Sequence, residues 1–187
     1  MRRIAVWNTA FLGDAVLTLP LIRVLHAVWP DAEIDFYLRG GLASLFAAQP
    51  ELTQVCEYDK RGAQKGLAGF LHMERTVRSR NYDVWIDTHL SLRSSIAALF
   101  SGAPVRVGYR EAALSSLAFR YSVPRRFDEA QEVERLLGLL TPLASCEPEC
   151  AESLEQALRD SSVVWPELVL PLEAHARAYR LLAPLAP

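Results

Sequence analysis

Cysteine, lysine and methionine are scarce in this 187-residue chain, with three, two and two copies respectively. Three cysteines cannot build a disulfide framework, which favours a reducing compartment over secretion. Cys146 and Cys150 have C-x₃-C spacing with no histidine or further cysteine nearby. A metal site needs about four ligands, so none is expected. No apolar run reaches about 18 residues, which excludes a membrane span. Arg2 and Arg3 precede the apolar stretch from Ile4 to Leu12, as in an export signal. Asn8 and Thr9 interrupt that stretch, however, and Gly13-Asp14 follows where a small-residue cleavage site would stand; export is therefore not expected. The loop after the first apolar run has only Gly13, so it is not GxGxxG. No Gly-Lys-Ser/Thr follows, so it is not a P-loop either. A nicotinamide or ATP site in that loop is thus not expected. No internal repeat or low-complexity tract occurs.

What is present points to one buried domain. The chain is 51% hydrophobic and 22% charged, which rules out disorder. The net charge of −2 conceals an asymmetry. Residues 1–59 carry net −3, residues 60–126 net +8 and residues 127–187 net −7. Two readings of the basic third stand: an arginine-rich solvated surface, or a surface that receives an anionic partner. Its cations are spread over several elements without a stripe, so nucleic acid is not the expected partner.

Arg3–Trp7, Glu33–Arg39, Thr53–Tyr58, Asp83–Asp87 and Val105–Tyr109 read as strands. Helical patterns lie between them. The first runs from Asp14 to Trp29, with Pro20 predicting a kink or a start nearer Thr18. Others cover Phe70–Arg80, Leu92–Phe100 and Asp128–Leu143. The stretch up to Tyr121–Val123 has no clear pattern. Residues 145–165 are acidic and weakly patterned, as in a linker or a frayed helix. Glu167–Leu170 reads as a strand and Glu173–Leu182 as a helix. Alternating strands and helices predict an α/β fold, a Rossmann-like parallel sheet with helices on both faces. Such sheets carry their sites at the carboxyl ends of strands. The loops of interest are therefore Asn8–Asp14, Arg39–Gly41, Asp59–Gly69 and Asp87–Arg93.

Asp14 falls on the first turn of the first helix, and two readings remain open. It caps free N–H groups and complements the helix dipole, or it is a carboxylate base. Gly13 lets backbone approach a ligand. His89 is either a hydrogen-bonding loop residue or a switchable acid-base. Trp7, Trp29 and Trp85 read as core residues. Arg75, Arg78 and Arg80 read as a solvated helix face, and Arg125-Arg126 as helix-terminal ion pairing.

Gly13-Asp14 after a strand and a small polar loop, with Pro20 six residues beyond the Asp, resembles the opening of glycosyltransferase family 9, the heptosyltransferases of lipopolysaccharide core assembly. Asn81-Tyr-Asp-Val-Trp-Ile-Asp87 is similar to a strand of that family, and Arg93-Ser94 to the basic residue and serine that follow it. Gly102-Ala-Pro-Val-Arg-Val-Gly108 resembles its turn, and Val133-Glu-Arg135 its helix. Gln131 stands where the family often has histidine. The likeness runs in order through residues 2–143.

The resemblance implies the N-terminal half of a GT-B fold. Residues 1–143 would be the acceptor-binding domain. Residues 144–187 would be a linker and the start of a crossover towards a donor-binding domain. It implies an inverting transfer of heptose from ADP-heptose to the inner core of lipopolysaccharide, with Asp14 as base. Gly13, Lys60, Arg61, Lys65, His89 and Arg93 would bind the acceptor, whose carboxylates and phosphates suit the basic third. No cofactor is expected, because the nucleotide-sugar donor binds mainly in the other half. This piece alone would then be inactive. The implied location is cytoplasmic, with peripheral contact at the inner face of the inner membrane allowed. The alternative is a non-catalytic Rossmann-like binding module or truncated relic.

Overall fold

The computed structural model describes residues 1–182 except 60, 61 and 63. Six strands form one parallel sheet: β1 (Arg3–Asn8), β2 (Glu33–Arg39), β3 (Gln54–Tyr58), β4 (Val84–Asp87), β5 (Val105–Tyr109) and β6 (Tyr121–Val123). Their order is β3-β2-β1-β4-β5-β6. The chain leaves β1 for β2 on one side and later returns to β4 on the other. The switch point therefore lies at the carboxyl ends of β1 and β4.

The pleat sends alternate side chains to opposite faces. Ile4 and Val6 of β1 join Ile34, Phe36 and Leu38 of β2 in one core. Helix α2 (Leu19–Val28) covers it with Leu21, Ile22 and Leu25. Ala5 and Trp7 face the other way. There Trp7 meets the rings of Tyr37, Tyr58 and Trp85 at 5.3, 5.3 and 5.6 Å. Helices α4 (Gly66–Ser79) and α5 (Leu92–Ser101) close this second core, α4 through Phe70, Met73 and Val77. Trp7 and Trp85 are core residues, as expected.

Helix α1 (Leu12–Leu17) ends at Thr18, and α2 begins there with Pro20 in its first two positions. Pro lacks an N–H, which the first turn of a helix does not need. The predicted break falls where Pro20 puts it. Short helices α3 (Ala43–Phe46) and α6 (Ser115–Ala118) fill loops.

Four sequence expectations differ from the structure. Residues 128–143 do not form one helix but α7 (Glu132–Gly138) and α8 (Thr141–Cys146). Pro142 in the first turn of α8 starts a new helix instead of continuing the old one. The stretch 145–165 holds a 3₁₀ turn at Pro148–Cys150, then α9 (Ala151–Arg159) and α10 (Ser161–Val164). Leu154 and Ala157 of α9 lie on one face and are buried in the α2 core. Glu167–Leu170 forms no strand, and α11 (Leu172–Leu182) follows. Arg80 does not belong to a solvated face. Its guanidinium reaches Asp35 Oδ2 at 2.7 Å, and the Tyr82 hydroxyl donates to the same oxygen at 2.6 Å. Arg75 and Arg78 are exposed. No helix among the described residues is long and apolar enough to cross a membrane.

Candidate active site at the carboxyl edge of the sheet

β1, β2, β3 and β4 end at one cavity of about 460 Å³, lined by Thr9, Ala10, Phe11, Arg39, Gly40, Tyr58, Asp59 and His89. All four loops singled out from sequence contribute to it. The close approach of two of them depends on Gly40. A side chain there would bring its Cβ within 2.9 Å of the Asp59 Cβ.

Asp14 sits one turn beyond the cavity wall. Its Oδ2 accepts the Phe11 N–H at 3.1 Å, so the capping reading is correct as far as it goes. Oδ1 has no partner among the described residues and is available to a hydroxyl. The loop that carries Asp14 is held from inside by Asn8. Its side-chain amide donates to the Asp14 carbonyl at 3.2 Å and to the Thr18 hydroxyl at 2.7 Å. The Asn8 Oδ1 accepts the Ala10 N–H at 3.1 Å. Gly13 is exposed, with open space where a Cβ would be.

His89 lines the cavity and is bonded on two sides. Its backbone N–H donates to Asp87 Oδ1 at 2.8 Å, and its ring Nε2 accepts the Thr9 N–H at 2.9 Å. Asp87 is fully buried, and burial pushes its carboxyl up to about 7 against the pull of the His89 N–H and the Ser94 hydroxyl. Arg93 is exposed and flanks the cavity. Its Nη1 donates to the Tyr58 hydroxyl at 3.0 Å, and its guanidinium lies 5.5 Å from the Phe70 ring centre. Lys65 is exposed just before α4, where its N–H donates to the Gly62 carbonyl at 3.0 Å. Lys60 and Arg61 lie outside the described residues.

The structure adds Arg39, Phe11 and Asp59 to the residues expected from sequence. The Arg39 guanidinium stands 5.2 Å from the exposed Phe11 ring and forms no ion pair among the described residues. Its sequence signal is a cation ending a strand at the carboxyl edge. Arg106 and Arg125 are engaged elsewhere. Arg106 donates to the carbonyls of Ala118 and Ala103 at 2.7 and 2.6 Å, and Arg125 pairs with Glu132 at 2.8 Å. The described residues contain no cluster of histidine, cysteine and carboxylate side chains able to hold a metal ion.

A parallel sheet of this order with a cleft at its switch point defines a class, the Rossmann-like α/β domains. The family model for glycosyltransferase family 9 (heptosyltransferase) matches residues 70–163, half of the chain. The chain belongs to that family. It is 28% identical over 139 residues to an Escherichia coli lipopolysaccharide heptosyltransferase 3, a match covering 71% of this chain and 40% of the relative. A crystal structure of a family 9 glycosyl transferase from Veillonella parvula superposes with a TM-score of 0.77 at 18% identity, over all of this chain and 50% of that one. An E. coli heptosyltransferase solved with ADP-2-deoxy-2-fluoro heptose gives a TM-score of 0.63 at 20% identity, over 75% of this chain and 47% of the other. These solved relatives show the fold. The chain thus spans about half the length, or less, of the proteins it matches.

Proposed function

We propose that this chain forms the acceptor-binding half of an inverting heptosyltransferase, with Asp14 as general base. The observation that carries the proposal is the placement of Asp14. A half-buried carboxylate, with one oxygen pinned by Phe11 and the other without a partner among the described residues, stands one turn beyond the Phe11 wall of the switch-point cavity. A general base must stand within hydrogen-bond reach of the hydroxyl it deprotonates, so position is what the protein must supply. Asp14 draws the proton from the acceptor hydroxyl as that oxygen attacks the anomeric carbon of ADP-heptose. The carbon–oxygen bond to the nucleotide breaks on the opposite face, and ADP leaves.

In this reading the acceptor is the lipopolysaccharide inner core. Arg39, Lys60, Arg61, Lys65 and Arg93 meet its carboxylates and phosphates, and Gly13 lets the sugar approach the loop. The names of the relatives and the ADP-heptose analogue bound by one of them support the donor assignment. Residues 1–143 hold the acceptor, α9 packs on the core of that half, and the chain after α10 leads towards a donor-binding half. Such an enzyme works at the cytoplasmic face of the inner membrane, where its acceptor is displayed.

The test is Asp14→Asn in an enzyme that joins this half to its donor half. Turnover is expected to fall by about 10²–10⁴-fold with nucleotide-sugar affinity nearly unchanged. Near-normal turnover would leave Asp14 as a helix cap alone.

A further inference from the structure

We infer that His89 is a positioning residue whose ring latches the loop between β1 and α1, and with it Asp14, to the end of β4. The bond that does this is unusual in its polarity. A backbone N–H can only donate, so the ring nitrogen facing Thr9 at 2.9 Å must offer a lone pair. The neutral ring with its proton on Nδ1 meets that demand. The imidazolium, a donor at both nitrogens, does not.

The latch has a firm anchor and a movable partner. On the β4 side, Asp87 is fully buried and receives the His89 N–H at 2.8 Å, and the Thr88 hydroxyl donates to the Trp7 carbonyl at 2.9 Å. On the loop side Thr9 is 5% exposed, so its N–H has little water to turn to if the ring stops accepting. From Thr9 the loop runs through Ala10 and Phe11 to Asp14, and Phe11 donates to the Asp14 carboxylate. A shift at Thr9 is therefore felt at Asp14 through a few covalent bonds.

Several charged and titratable groups share this environment. Asp87 stands behind His89 on β4. Arg39, Tyr58 and Asp59 line the same cavity from the ends of β2 and β3. Asp14 lies on α1, and Arg93 on the first turn of α5. Whatever their sum, the sign of the latch is fixed by hydrogen-bond chemistry. It is closed above the pH at which the ring titrates and opens as the pH falls through that point. This holds for the loop whether or not the proposed transfer is correct.

The experiment is proton–nitrogen correlation NMR of this chain between about pH 5 and 8, following the His89 ring and the amides of Thr9 and residues 11–14. The Thr9 and Asp14 amides are expected to move with the same midpoint as the His89 ring. After correction for intrinsic exchange, the Thr9 amide should exchange about tenfold faster on the acid side, the size of one lost hydrogen bond. In His89→Gln the amide oxygen replaces Nε2 as acceptor without titrating, so the Thr9 signal should stay in its neutral-pH position throughout. His89→Ala should show the acid-side loop signals at every pH. Asp87→Asn keeps an acceptor oxygen for the His89 N–H and removes the neighbouring carboxyl that titrates in the same range, so the Thr9 transition should persist and still track the ring. The latch is refuted by a Thr9 amide that ignores the His89 titration. It is equally refuted if His89→Gln keeps the wild-type transition, or if the transition disappears in Asp87→Asn while the ring still titrates. The His89→Gln result decides the matter even if His89→Ala fails to fold.

Discussion

Glu74 is 4% exposed and neither of its carboxylate oxygens has a hydrogen-bond partner among the described residues. It lies on the inner side of α4, near Tyr58, and edges a small cleft with Leu71, Arg75 and Phe100. Burial alone raises its carboxyl from 4.5 to about 7. The folded state thus keeps a proton that the unfolded chain gives up. With the folded value above the unfolded one, stability is highest below about pH 4.5, falls as pH rises towards 7, and carries a constant penalty above that. Glu74→Leu removes the penalty and fills the space with apolar atoms. At pH 8 it should gain about 1–3 kcal/mol and raise the melting temperature. At pH 5 the gain should be much smaller. Thermal unfolding at the two pH values checks this, and equal gains at both would contradict a buried charge as the cause.

Helix α9 shows how an element can be present without announcing itself. Its acidic composition resembles a linker, yet Leu154 and Ala157 recur three residues apart and sit in the α2 core. Leu154 is 2% exposed. Leu154→Ala should therefore cost about 2–4 kcal/mol in urea unfolding, where a linker position would cost under about 0.5. The five longer strands were legible because four to seven residues are enough for a short apolar run, as in β1 and β4, or for alternation, as in β2. β6 has three residues, too few to alternate, and exists because β5 offers it an edge. The site was legible to the level of loops, since the carboxyl ends of parallel strands follow from the topology. Its residues were only partly so. Asp14 and His89 stood out by type and place. Arg39 and Asp59 did not, because twenty residues separate them in sequence and only the β2–β3 pairing brings Arg39 beside Tyr58. The Thr9–His89 bond crosses eighty residues and depends on β1 pairing with β4.

At the scale of the whole molecule, the +8 of residues 60–126 is not a free field of charge. Arg80 is bound to Asp35, Arg106 to two backbone carbonyls, and Arg125 to Glu132 across into the acidic third. On the proposed function, the cations left to attract an anionic glycolipid include Arg39, which lines the cavity and lies outside the basic third altogether. Local placement and overall charge make different predictions. Arg39→Gln with Lys65→Gln lowers the net charge by two, one charge at the cavity wall and one just before α4. Arg75→Gln with Arg78→Gln lowers it by the same amount on the exposed side of α4. If charge-assisted contacts at the cavity hold the acceptor, the first pair should weaken binding of a phosphorylated inner-core oligosaccharide by about tenfold or more. It should also flatten the salt dependence, because contacts that salt screens are then missing. The second pair should change affinity by less than about twofold at physiological salt, where the Debye length of about 8 Å isolates that face from the cavity. Titration calorimetry of both pairs at two salt concentrations separates the accounts. Equal losses from the two pairs would mean that net charge, and not the Arg39 cavity, draws the acceptor in.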